Sequence, residues 1–213
     1  HDQSQAIFAT AQLGLKNLVF VDLTARNDWV SALANTETKS IFYPSVGVSG
    51  VITDIFNIKS NVLSFLKARL SYSEVGNAPQ RFISIPSYPV IDGYPQLTTY
   101  MPAKNLEPER TKSYEFGFNA IFWNNKVNLN ATIYKSSTYN QLFNPSLSPS
   151  SGYSSFFVNA GRVDNKGIEA SISLNQKLGP VQWNSGIVYS LNRNEIIELL
   201  RGYVNPVSGE IIS

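Results

Sequence analysis

Hydrophobic and polar residues alternate along eight stretches of the chain, and each stretch predicts a β-strand with two chemically different faces. Successive side chains of a strand point to opposite sides, so the pattern can be assigned to faces directly. In the clearest case Val127, Leu129 and Ile133 share one face. Polar Asn128 and Asn130 share the other. The eight predicted strands lie near residues 6–15, 19–26, 43–56, 66–73, 113–122, 126–134, 168–175 and 183–192.

The connections between these strands alternate between short and long. Tight turns are predicted near Lys16-Asn17, Asn57–Asn61, Asn124-Asn125 and Leu178–Pro180. Long loops are predicted over residues 27–40, 76–105 and 138–159, and a fourth follows Asn194. Membrane barrels have trimmed turns on the periplasmic side and elaborated loops on the extracellular side, whereas the loops of a β-sandwich need not sort by length. The pattern therefore favours an all-β fold, an antiparallel transmembrane β-barrel segment, over a soluble β-sandwich.

The charged residues within the clearest strands fall on one face only. Six of them are Asp22, Arg26, Lys67, Arg69, Glu115 and Glu169. Because the polar face of a membrane barrel lines its lumen, these side chains are predicted to point inward. Two roles stay open for them: ion pairs that solvate the wall, or contact with a body inside the barrel.

Composition is compatible with a membrane barrel and excludes several other classes. No apolar run of the 213-residue chain approaches the roughly 18–20 residues of a membrane helix. A net charge of +2 is too small to indicate nucleic-acid binding. The absence of cysteine excludes disulfides and thiolate sites. Aromatic residues near predicted strand ends fit an interfacial girdle or ordinary strand propensity: Trp29, Tyr43, Tyr72, Trp123, Tyr134, Trp183 and Tyr189.

Candidate catalytic and metal-binding groups are weak. Glu107 and Glu109 could form a glycosidase pair, but they lie two residues apart beside basic residues and are more simply polar loop residues. Asp164-Asn165 could bind a cation, although a turn is the stronger expectation. His1 is the single histidine, so histidine-based triads and His-rich metal sites are not expected. The sequence predicts no enzyme, no cofactor and no metal site.

Ligand recognition, if this chain performs it, is expected in the long loops. Their aromatic residues are Tyr88, Tyr94, Tyr100, Tyr153, Phe156 and Phe157. Aromatic faces stack on sugar rings and bury peptide side chains. The same residues could instead pack each loop against itself or against a partner protein, and both interpretations stay open.

Five ordered segments carry a family resemblance. They are DLTARNDW (22–29), FYPSVGV (42–48), FLKARLSYSEVGN (65–77), NLEPERTKSYEFGF (105–118) and NAGRVDNKGIE (159–169). In this order and spacing they resemble the barrel of the SusC/RagA family, the TonB-linked outer-membrane transporters of Bacteroidetes. The resemblance covers nearly the whole chain.

The resemblance implies a location, a barrel size and partners. It implies an outer-membrane barrel of about 22 strands, of which this chain supplies a middle-to-late third. It also implies energised import of oligosaccharides or peptides, a SusD-like surface lipoprotein as lid, and TonB acting on an N-terminal plug. The polar-face charges would then meet the plug or the passing substrate, and strand glycines Gly47, Gly117 and Gly167 could let the plug approach.

The domain expectation is one partial barrel over residues 1–213, without the plug, the TonB-contacting segment or the terminal strand. The terminal residues 209–213 are not expected to form a closing strand. A non-transporting outer-membrane adhesin or structural barrel is the main functional alternative, and the soluble β-sandwich binding module is the structural one.

Overall fold

The computed structural model describes residues 3–34, 36–80, 83, 88, 90–96, 99–101, 106–199, 203–204, 209 and 211–212. His1 and parts of the segments predicted as loops over 27–40, 76–105 and after Asn194 lie outside these ranges. The strands are β1 (Ser4–Leu15), β2 (Val19–Val30), β3 (Ile41–Val51), β4 (Leu63–Asn77), β5 (Val90–Ile91), β6 (Tyr94–Pro95), β7 (Tyr100–Met101), β8 (Glu109–Phe122), β9 (Val127–Phe143), β10 (Ser155–Phe156), β11 (Val158–Leu178), β12 (Val181–Glu198), β13 (Tyr203–Val204) and β14 (Ile211–Ile212). One short helix, α1 (Ile52–Ile55), and two 3-10 turns, Ser31–Leu33 and Pro149–Ser151, complete the described elements.

All eight predicted long strands are present and form one antiparallel sheet. Its strand order is β1-β2-β3-β4-β8-β9-β11-β12, so each long strand lies beside its neighbours along the chain. The short strands lie in the loops, where β5 pairs with β6 and β7 pairs with β10. Near the end of the chain, β13 pairs with β14 in a separate two-stranded sheet. The antiparallel meander is the arrangement that a barrel wall requires.

The strands extend further toward the long loops than the alternation predicted. β9 continues to Phe143 and β11 begins at Val158, so the loop expected over 138–159 is reduced to residues 144–157. Main-chain pairing depends on N–H and C=O groups and needs no apolar side chain. The alternation of apolar and polar residues therefore predicted the end of each strand at the point where charged residues replace the apolar ones, although the main-chain pairing continues beyond it.

The strand predicted over 43–56 was too long at its C-terminal end. β3 ends at Val51 and residues Ile52–Ile55 turn into α1, with the Phe56 amide donating to the carbonyl of Ile52. Asn57, at φ 54°, then leaves the helix in the left-handed region that Asn tolerates. The other predicted turns are confirmed, with positive φ at Lys16 and Asn17, at Asn124 and Asn125, and at Gly179.

The register places the apolar faces of the strands on one side of the sheet. One cross-strand row contains Leu70, Phe116, Ile133, Ile168 and Leu191. At about 3.4 Å per residue and a tilt of about 40°, the stretch from Ile168 to Leu178 spans about 26 Å, close to the roughly 25 Å apolar band of outer-membrane barrels. No helix within the described residues is long and apolar enough to cross a membrane.

The apolar face has no second sheet packed on it in the described part of the chain. Large side chains on this face, such as Ile187 and Leu191, remain exposed. A β-sandwich would bury them between two sheets. The sandwich interpretation is therefore wrong, and the exposed band fits the surface that a barrel turns to lipid.

The aromatic girdle is only partly as predicted. Trp29 and Trp183 lie on the apolar face and are exposed. Tyr43 instead lies beside Arg26 on the polar face, and Tyr134 lies opposite Glu115 there. The girdle interpretation is wrong for these two tyrosines, since their strand positions have the opposite parity to the apolar residues.

Candidate functional site

The polar face brings together all six charges that the sequence assigned to it. Asp22, Gly47, Ser71 and Glu115 form one cross-strand row. Arg69, Gly117, Thr132 and Glu169 form the adjacent row. Arg26 lies two residues from Thr24 on β2, and Lys67 lies two residues from Arg69 on β4. Residues two apart on a strand point to the same side, so both charges share the polar face. The six charges therefore line a single surface that spans most of the sheet.

Arg69 is the centre of the polar network on this face. Its guanidinium donates to Asn119 Oδ1 at 2.6 Å, to Thr132 Oγ1 at 2.6 Å and to Asn130 Oδ1 at 3.4 Å. The side chain reaches over β8 to β9 because Gly117 lies directly opposite it. A Cβ atom at Gly117 would stand 2.7 Å from Arg69 Nε. The group that approaches this glycine is therefore a side chain of the same wall.

Three of the other charges also have partners within the wall. Asp22 accepts a hydrogen bond from Gln12 Nε2 at 2.6 Å. Arg26 donates to Asp28 at 2.7 and 3.1 Å and lies over the ring of Tyr43. The Lys67 ammonium lies 5.6 Å from the centroid of the Phe20 ring. These contacts support the interpretation that the charges solvate and brace the polar face.

Glu115 and Glu169 are exposed on the same face. Glu169 borders an open cavity of about 250 Å³ that is also lined by Asn130, Thr132 and Ser190. The carboxylate, amide and hydroxyl groups of these four residues can all form hydrogen bonds with a molecule in the cavity. The cavity can therefore hold water or a polar group that passes along the wall.

The Arg69 network gives a matched test on one strand. Arg69→Met should cost about 1–2 kcal/mol of barrel stability, because the amides and hydroxyl that accept from it lose a charged donor. Lys67→Met removes the same charge from the same face, but it removes one cation–π contact and should cost less than about 1 kcal/mol. Urea unfolding of the receptor in lipid vesicles measures both. Equal losses for the two variants would contradict the bracing role of Arg69.

The loop aromatics divide into packed and exposed groups. Phe156 is 3% exposed and packs with Leu147 and Val158, and Tyr153 lies partly buried against them. Of the two interpretations left open for the loop aromatics, Phe156 fits the one in which the ring packs within its own loop. Tyr100 and Phe157 are half-buried and meet edge to face at a centroid distance of 5.6 Å. Parallel pairing of β7 with β10 joins the same two loops.

Tyr88 and Tyr94 are the exposed members of the set. Their exposed fractions are 57% and 73%. Tyr94 belongs to the hairpin of β5 and β6, which turns through Asp92 and Gly93 at positive φ, as Asp-Gly turns favour. Both rings are available to an external ligand or partner.

The weak catalytic candidates have structural roles. Glu107 accepts a hydrogen bond from Asn140 Nδ2 at 2.6 Å, and Glu109 accepts from the Leu142 amide at 2.9 Å. Asn159, the first residue of the segment 159–169, donates to the carbonyls of Glu107 and Asn140 and accepts from the Glu107 amide. This clamp fixes the start of β8 to β9 and β11. No local sequence signal identifies it, because its three segments are distant along the chain.

Asp164 and Asn165 lie inside β11, so the turn predicted there is wrong. Asp164 pairs with Arg162 at 2.7 Å and with Lys135 at 3.4 Å, and these cations occupy its carboxylate. Within the described ranges no group of three His, Cys, Asp or Glu residues could hold a metal ion.

The chain matches the protein family described as TonB dependent receptor-like, beta-barrel over residues 1–207. It is 27% identical over 207 residues to TonB-dependent receptor P26 of Formosa agariphila, with 92% of this chain and 21% of that protein covered. It is 29% identical over 189 residues to TonB-dependent receptor P3 of the same organism, with 84% and 19% covered. The chain thus spans about a fifth of the length of these relatives.

Solved structures with the same fold include the RagAB peptide importer in its open-open state. That match has a TM-score of 0.82 at 24% identity and covers 97% of this chain and 24% of the other. The siderophore receptor PirA from Pseudomonas aeruginosa matches with a TM-score of 0.58 at 15% identity, over 90% of this chain and 32% of the other. At these identities the likeness establishes the fold alone.

Proposed function

Because the chain belongs to the TonB-dependent receptor β-barrel family, we propose that it forms part of the wall of an outer-membrane importer for nutrients. Membership confirms the expected TonB-linked receptor barrel and its outer-membrane location. The shared fold of the RagAB importer supports the proposed SusC/RagA type. The proposed cargo is an oligosaccharide or a peptide. The proposed partners are a SusD-like surface lipoprotein that lids the barrel and TonB acting through a plug carried by a longer receptor chain.

The observation that carries this proposal is the contrast between the two faces of one sheet. One face is an apolar band of membrane height, and the other is a continuous polar surface built around Arg69. A wall of this kind separates lipid from an aqueous passage. The exposed rings of Tyr88 and Tyr94, in the loop over 78–108, supply aromatic surface for cargo or lid at the loop end of that wall.

The test compares uptake in cells with and without the receptor. We expect deletion of the gene, or of TonB, to abolish uptake of one labelled pool, either mixed oligosaccharides or mixed peptides. Unchanged uptake of both pools in both deletions would overturn the importer proposal. Unchanged uptake together with lost surface attachment would instead favour the non-transporting adhesin.

The loop tyrosines supply the site-level arm of that test. Tyr88→Ala and Tyr94→Ala should each weaken cargo or lid binding by about two- to twelvefold, since an aromatic contact contributes about 0.5–1.5 kcal/mol. Tyr189→Ala is the matched control because that ring is similarly exposed, at 55%, but lies on the apolar face. Equal effects at all three positions would remove the tyrosines from the proposed site.

A further inference from the structure

The lipid-facing side of the sheet changes from apolar to charged at the long-loop end. The last apolar row contains Leu70, Phe116, Ile133, Ile168 and Leu191. The next row contains Tyr72, Tyr114, Lys135, Lys166 and Arg193, and the one beyond it contains Glu74, Lys112, Ser137, Asp164 and Glu195. Residues two apart on a strand are separated by about 7 Å, so the charges begin about 7 Å beyond the apolar band.

Two carboxylates on this surface are each shared by two cations. Glu74 lies 3.5 Å from Arg110 and 3.7 Å from Lys112. Asp164 lies 2.7 Å from Arg162 and 3.4 Å from Lys135. Each group of three therefore keeps one uncompensated positive charge. Glu198 lies opposite Arg162 in the register, and with it included the cations still outnumber the carboxylates.

Tyr139 joins the two groups into one site. Its ring centroid lies 6.0 Å from the Lys112 ammonium and 5.2 Å from the Arg162 guanidinium. We call the set of Glu74, Arg110, Lys112, Lys135, Tyr139, Arg162 and Asp164 the Tyr139 cluster. Cation–π contact of two cations with one ring holds them on the same patch of surface.

The Tyr139 cluster presents its cations outward and keeps its carboxylates inward. The four cations retain between 33% and 54% of their side-chain surface, while Glu74 and Asp164 retain 14% and 11%. An approaching molecule therefore meets ammonium and guanidinium groups. These groups form strong, charge-assisted hydrogen bonds with phosphate oxygens.

We propose that the Tyr139 cluster binds the phosphate groups of the glycolipid in the outer leaflet of the outer membrane. The cluster faces the same side as the lipid-contacting band and lies directly beyond it, at the depth where lipid headgroups begin. Basic residues at this depth bind anionic headgroups and fix the height of a protein in the bilayer. Inorganic phosphate could bind the same cations, but only a lipid also covers the adjoining apolar band with its acyl chains.

The experiment measures binding of lipid A to the full-length receptor in detergent by native mass spectrometry. The combined substitution of Lys112→Gln and Arg162→Gln should weaken binding of diphosphorylated lipid A by about thirtyfold. Each substitution removes one cation, and each cation near an anionic headgroup strengthens binding by about five- to sixfold. Dephosphorylated lipid A should bind the parent protein and this variant equally weakly. The control combines Lys16→Gln with Lys126→Gln, which removes two cations from the short-turn end and should leave the affinity unchanged.

A substitution that is expected to strengthen lipid A binding tests the proposal even if the double variant folds poorly. Glu74→Gln removes the carboxylate that competes for Arg110 and Lys112, so it should tighten binding of diphosphorylated lipid A. Weaker or equal binding in Glu74→Gln would overturn the proposal. The proposal also fails if the control loses as much affinity as the Tyr139 cluster variant, or if millimolar inorganic phosphate displaces lipid A completely.

Discussion

Ile172→Arg will destabilise the folded barrel by about 2–4 kcal/mol, the cost of a cation on the lipid face near the bilayer midplane. Ile172 lies between Leu129 on β9 and Ile187 on β12 and is itself exposed on the apolar face. In the membrane that exposure is contact with lipid. An arginine there must be desolvated or must distort the bilayer to reach water.

The matched control is Ser173→Arg, one residue along the same strand. Ser173 lies between Asn128 and Gly186 on the polar face, where an arginine keeps its water. We expect this variant to cost less than about 0.5 kcal/mol, as for a surface substitution away from special contacts. Folding into lipid vesicles followed by urea titration measures both variants. A larger loss at Ser173 than at Ile172 would reverse the assignment of the two faces.

Phe156→Ala will loosen the loop over 144–157 by about 3 kcal/mol, at the lower end for loss of a buried Phe ring. Phe156 packs with Leu147 and Val158 and its amide donates to the carbonyl of Pro145. Removing the ring leaves this small cluster without its largest member. Amide hydrogen exchange in the loop should therefore accelerate by roughly a hundredfold, while β9 and β11 keep their protection.

Phe157→Ala is the comparison for this loop. Phe157 is half-buried and its ring meets Tyr100 at an edge, so its removal should cost about 1 kcal/mol. If both variants accelerated exchange equally, the loop would not be organised around Phe156. If exchange in β9 accelerated as well, the loop and the wall would unfold as one unit.

The alternation along the chain determined the strands and their faces because both depend on a period of two residues. The sequence of β9 alone, for example, places Leu129 on one side of the sheet and Asn130 on the other. The turns at Asn17 and Asn125 were equally local, since Asn tolerates the left-handed backbone that they adopt. The five ordered motifs likewise carried the family, which rests on sequence and not on packing.

The tertiary structure decided everything that depends on which residues lie side by side. The strand ends depend on pairing with neighbouring strands. Two other features join segments that are far apart in the chain: the pairing of β7 with β10, and the contact of Arg69 with Thr132 across Gly117. Phe156 and Tyr94 are both loop aromatics in the sequence, and only packing buries one and exposes the other. The Tyr139 cluster depends in the same way on the register of four strands. Register is set jointly by the apolar faces of neighbouring strands and the geometry of the turns between them, so the sequence of any single strand does not contain it.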